Sequence, residues 1–83
     1  MQIFFNKMSK TAIELEIIEL IRKKRKSNKL SQAKIAKILN VTPGYIGQIE
    51  VKDSPSMYSY SQLNQLAIYF DCSPREFIPE KPL

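Results

Sequence analysis

The sequence predicts an all-α fold of five short helices, and three observations carry that expectation. Apolar residues recur at three- and four-residue spacing, with no sustained alternation. A hydroxyl residue stands ahead of each apolar run, at Thr11, Ser31, Thr42, Ser59 and Ser73, where its oxygen caps a helix N-terminus. Proline follows directly at Pro43 and Pro74, first-turn positions where its missing N–H costs nothing. A chain of 83 residues makes one domain, near the lower limit of what a single core stabilises unaided.

Each element has its own local logic. The first helix spans Thr11 to Ser27, with Glu14 completing a capping box on Thr11. Ile13, Ile17, Leu20 and Ile21 form its apolar stripe, widened by Leu15 and Ile18. Ser31 caps the second helix, though no acid or glutamine follows at the third position. Ile35, Ala36 and Leu39 make its inward face, with Ile38 alongside. Asn40 stops this helix through a left-handed residue, and Val41 fills the turn. Thr42 and Pro43 open the third helix, whose inward face is Ile46 and Ile49. Asp53, Ser54 and Pro55 mark residues 51–58 as a loop. Ser59 caps the fourth helix, with Leu63, Leu66, Ala67 and Phe70 inward, and Asp71-Cys72 ends it. Ser73-Pro74 starts a short fifth helix carrying Phe77 and Ile78 inward, and Pro79 and Pro82 close the chain. The expected organisation is an arm at 1–10, a folded domain at 11–79 and a tail at 80–83.

Composition excludes several function classes. The chain has no histidine and one cysteine, Cys72, so neither an internal disulfide nor a zinc site is expected. No metal or other cofactor is implied. No paired acid or activated nucleophile emerges from the layout, which argues against an enzyme. No apolar run approaches membrane-spanning length, and the opening MQIFFNKMSK lacks a signal-peptide pattern. A cytoplasmic protein without membrane attachment is expected.

Net charge is +5, and its distribution is more informative. Eight Lys or Arg residues lie between Leu20 and Ile49 with no acid among them, while both flanks are slightly acidic. A concentrated basic segment suits a polyanionic partner. For the first helix alone, Glu14, Glu16 and Glu19 followed by Arg22 to Lys29 equally fit a charge pattern complementing the helix dipole. That account does not reach Lys34 and Lys37.

Two short helices joined by a tight turn after a basic stretch make a helix-turn-helix, whose second helix enters the DNA major groove. The match extends further. Ile21, Arg22, Arg25, Leu30, Ser31, Gln32, Ile35, Ala36, Leu39 and Val41, then Thr42-Pro43-Gly44-Tyr45-Ile46 and Gln48-Ile49-Glu50, resemble the Cro/C1-type (XRE) helix-turn-helix family. Leu63 to Phe77 is similar to the last two helices of that family. The resemblance covers about residues 11–78 and implies a compact, lambda-repressor-like fold. The chain departs from the family pattern at Lys29 and Asn40, where glycine is frequent, and at Lys24, where leucine is frequent. Its loop after Glu50 is also a little longer.

What the resemblance implies is a small transcriptional regulator, a repressor, binding duplex DNA as a homodimer with residues 42–50 as recognition helix. Ser31 and Gln32 would meet phosphate, a role suited to a helix N-terminus. Base reading would fall to Thr42, Pro43, Gly44, Tyr45 and Gln48. Gln48 can pair bidentately with adenine, whereas Tyr45 better suits a phosphate, and Gly44 permits close approach without carrying a code. Gly47 either clears space at the DNA or is merely tolerated. Lys52 joins the cations available for phosphate, with Arg22, Lys23, Lys26, Lys29, Lys34 and Lys37. Arg25 and Glu50 would form a partly buried ion pair tying the first helix to the end of the third.

One domain of this size covers one half-site, so a dimer is expected. Its surface is sought around Phe77 and Ile78, or in the apolar arm Gln2 to Phe5, which equally suits packing within the chain. The competing reading is a protein-binding module, such as an antitoxin that neutralises a partner protein.

Overall fold

The structure, a computed structural model, describes residues 10–83. The arm expected at 1–10, and the self-association assigned to Gln2–Phe5, lie outside the described residues apart from Lys10. Four α-helices follow one another: α1 (Ala12–Ser27), α2 (Gln32–Leu39), α3 (Pro43–Ile49) and α4 (Tyr60–Phe70). A 3-10 turn, Pro74–Phe77, completes the described fold. The expected fifth helix is thus a single tight turn. Pro74 starts it, and Pro79 holds Ile78 extended at φ −117°, ψ 131°, as a residue preceding proline prefers. Four residues leave no room for an α-helical turn to propagate.

All five N-termini are capped by the hydroxyls read from the sequence, from Thr11, Ser31, Thr42, Ser59 and Ser73. Thr11 and Ser59 form complete capping boxes with Glu14 and Gln62, and the second of these boxes escaped the sequence reading. Three helix ends turn through left-handed residues that are not glycine: Lys29, Asn40 and Asp71, with φ of 57°, 58° and 55°. Each closes the same double hydrogen bond, as in Leu30 N–H to Arg25 O with Lys29 N–H to Lys26 O. The glycine common in the family at the first two positions answers this backbone conformation, because a Cβ is unfavourable there.

The core is assembled from every element: Ile18 and Ile21 of α1, Ile35, Ala36 and Leu39 of α2, Ile46 and Ile49 of α3, Leu63, Leu66 and Ala67 of α4, then Tyr58 and Phe77. Val41 packs against it from the turn. Ala36 is 1% exposed, and its small side chain suits the packing of α2 against α3 and α4. Ile13 departs from the expected stripe and is exposed, because the first turn of α1 borders an open groove rather than the core. Phe77 is buried in the core while Ile78, expected to face inward, is exposed, so of that pair only Ile78 offers apolar surface. No described helix is long and apolar enough to cross a membrane.

Candidate nucleic-acid interface

α3 has two unlike sides. Ile46 and Ile49 are wholly buried, and burial of that order contributes about 1.5–3 kcal/mol per side chain. Their packing fixes the rotation of the helix about its axis. Thr42, Pro43, Gly44 and Gln48 are left exposed on the other side. The Thr42 hydroxyl accepts from the Tyr45 N–H and so faces its own helix end. A Cβ on Gly44 would meet nothing within 4 Å, and one on Gly47 would meet only Gln32 Oε1 at 3.8 Å. No contact among the described residues therefore requires glycine at either position.

The end of α3 is tied to α1 and α2 through one carboxylate oxygen. Glu50 Oε1 accepts from Arg25 Nη2 at 3.0 Å, from Gln32 Nε2 at 2.8 Å and from Arg22 Nε at 3.5 Å. Arg22 also donates to the Glu50 backbone carbonyl at 3.1 Å and to Glu19 at 2.7 Å. Arg25 donates further to Leu30 O at 3.2 Å. The side chains of Arg25 and Glu50 are 10% and 7% exposed, so this charge cluster is largely withdrawn from water. Arg25 Nε and Glu50 Oε2 are buried without a hydrogen-bond partner among the described residues.

The candidate DNA residues differ in how free they are. Ser31, capping α2 through Lys34 N–H, and Lys52, past the end of α3, are exposed. The amide of Gln32 is turned to Glu50, and its side chain runs beside Gly47. Tyr45 is half-buried and its hydroxyl donates to Met57 O at 3.0 Å. In this conformation it braces the loop 51–58 rather than pointing to a ligand. Lys34 and Lys37 are exposed on α2, as are Lys23, Lys26 and Lys29 near the end of α1.

Three residues at this site escaped the sequence reading. Arg22, expected as a cation for phosphate or for the helix dipole, shares Glu50 with Arg25. Lys10, 8% exposed, donates to Val51 O at 2.7 Å and to Ser54 O. Burial pulls its ammonium pKa below the usual lysine value, against the opposing pull of Glu14 and Asp53. Tyr58 is a core residue whose hydroxyl has no partner among the described residues. Burial, reinforced by the Glu50 charge, pushes its phenol well above the ordinary range. No local signal marks these residues, since each acts across more than 20 positions of sequence or depends on loop placement.

The helix-turn-helix family profile matches residues 21–77, the span from the buried start of the basic segment to the 3-10 turn. No curated protein and no solved structure gives a significant match. With the profile covering more than half of the chain, and α2, the left-handed turn and α3 in the order described, the chain belongs to the Cro/C1-type (XRE) helix-turn-helix family of DNA-binding regulators.

Proposed function

We propose that the protein is a sequence-reading repressor that binds duplex DNA as a homodimer, with α3 in the major groove. The observation that carries this reading is the two-sidedness of α3: Ile46 and Ile49 anchor one side, and Thr42, Pro43, Gly44 and Gln48 occupy the exposed side. A helix held so firmly along its inner edge keeps its outer residues in fixed register with a groove. Gln48 reads a base through its amide. Ser31 and Lys52 contact phosphate, and Gln32 joins them by exchanging Glu50 for a phosphate oxygen. The exposed lysines of α1 and α2 supply the affinity that is independent of sequence. With so few side chains offered to bases, DNA shape supplies part of the specificity. Such a protein works at the bacterial nucleoid, in the cytoplasm.

In-vitro selection from a random duplex pool tests this reading, with Gln48→Ala as control. A two-fold repeat with half-sites about one helical turn apart is expected, its preference relaxed at one position per half-site in the control. A pool that stays random would defeat the sequence-reading claim.

A second reading, an antitoxin-like module that neutralises a partner protein, draws on a different surface. Ile13, Tyr60 and Ile78 are exposed around an apolar groove between α1 and the start of α4, floored by Ile17, Met57 and Leu63. Exposed apolar surface of this kind suits protein association, whether with a second copy or with another protein. Sedimentation of the isolated chain separates the two: a dimer favours the repressor reading, a monomer the partner-binding one.

A further inference from the structure

The loop that follows α3 is held from beneath by a residue of the N-terminal edge. Val51 O accepts the Ser54 N–H at 3.2 Å, closing a turn over residues 51–54. The Lys10 ammonium donates to the same Val51 carbonyl at 2.7 Å and to the Ser54 carbonyl. Both ends of the turn are thus bound by one cation from 41 and 44 residues upstream. Ser54 is buried, and its hydroxyl accepts the Ser56 N–H at 3.2 Å, carrying the tie into the rest of the loop. Between the held ends stand Lys52 and Asp53, both exposed. Their backbone N–H groups have no backbone hydrogen-bond acceptor among the described residues.

A lysine with so little surface exposed is an unusual choice for holding a surface turn. Lysine is rarely buried unless its charge is matched, and here the direct partners are carbonyls. The position explains the choice. The carbonyls at the end of α3 carry the negative pole of the helix dipole, at the place where the helix would run alongside a polyanion. Lys10 takes up two carbonyls just beyond that end, and its charge opposes that of nearby Asp53.

We propose that Lys10 is a positioning residue for DNA binding: it holds the Val51–Ser54 turn so that Lys52 and the flanking amides face a phosphate. The inference rests on the reading of α3 and Lys52 as DNA-facing. Lys10 itself, with its ammonium buried on Val51 and Ser54, does not touch the duplex.

The test compares wild type, Lys10→Met, Lys52→Ala and the double variant on a short mixed-sequence duplex, with affinity measured across a salt series. Each phosphate contact contributes about 0.9 to the slope of log affinity against log salt. Lys10→Met keeps the aliphatic stem and loses the charge. It is expected to lower the slope by about 0.9, as Lys52→Ala does, and the double variant to fall no further than either single. Full additivity in the double variant would overturn the proposal by making Lys10 an independent phosphate ligand. So would an unchanged slope in Lys10→Met, or a Lys52→Ala variant at the wild-type slope. A wild type without salt-dependent binding would instead remove the DNA-facing reading, and this proposal with it. Amide exchange gives the independent readout: the Ser54 N–H should exchange faster in Lys10→Met while Leu66 and Ala67 stay protected. Lys10→Ala, which removes the donor, is the second variant should Lys10→Met fold poorly, and unchanged Ser54 exchange in it would overturn the positioning role.

Discussion

Glu50 receives two guanidinium groups and an amide on one oxygen, while its second oxygen and Arg25 Nε have no partner among the described residues. A buried network satisfied only in part is sensitive to the loss of any member. Removing the acid leaves Arg25 with Leu30 O as its other partner, whereas removing Arg25 leaves Glu50 with Arg22 and Gln32. Glu50→Gln is therefore expected to cost about 3–5 kcal/mol in urea unfolding, and Arg25→Met less. The double-mutant cycle should show clear coupling, and a coupling near zero would refute the pairing as a source of stability. Tyr58 makes the opposite case. Its buried hydroxyl has no partner among the described residues, so Tyr58→Phe should be neutral or slightly stabilising at pH 7. Its raised pKa means the fold keeps the phenol neutral. The sign follows: this group's contribution is complete below the ordinary tyrosine pKa of 10.0 and is lost as pH rises above it. Alkaline titration of stability should therefore be flatter in Tyr58→Phe than in wild type.

The elements show which kinds of information lie in a sequence. The caps at Thr11, Ser31, Thr42, Ser59 and Ser73 are legible because a hydroxyl reaches an N–H two or three residues ahead. The Asn40 stop is legible for the same reason of locality. By contrast, the sequence predicts a short helix where Pro74–Phe77 forms a 3-10 turn, because four residues give no periodicity to separate the two forms. Lys10 under the loop and Arg22 on Glu50 were invisible because only the tertiary fold brings them to their partners. α3 raises a question that the sequence left open. Both glycines of the chain fall in this seven-residue helix, where neither has positive φ and neither is crowded. Gly47→Ala should stabilise the fold by up to about 1 kcal/mol, seen as a higher melting temperature. If the bare backbone admits a close duplex, the same change should weaken DNA binding by about tenfold, or ~1.4 kcal/mol. A stabilised variant with unaltered affinity would reduce Gly47 to mere tolerance.

At the scale of the molecule, a basic middle and acidic flanks follow the fold: Lys34 and Lys37 on α2, Lys23 and Lys26 on α1, and Lys29 in the turn after it are all exposed. Their cumulative effect is on encounter and retention at DNA, and it should fade steeply with added salt. The small size of the domain also gives the three left-handed helix ends a meaning beyond geometry. Lys29 and Asp71 hold a backbone that glycine adopts without strain, whereas asparagine at position 40 already tolerates it well. Lys29→Gly and Asp71→Gly, in separate turns, should therefore act additively, raising the melting temperature by about 4–8 °C for each kcal/mol gained. Neither turn lies on the exposed side of α3. The protein thus carries a reserve of thermal tolerance: at Asp71 it can be drawn on without touching the basic surface, whereas at Lys29 it costs one cation of that surface.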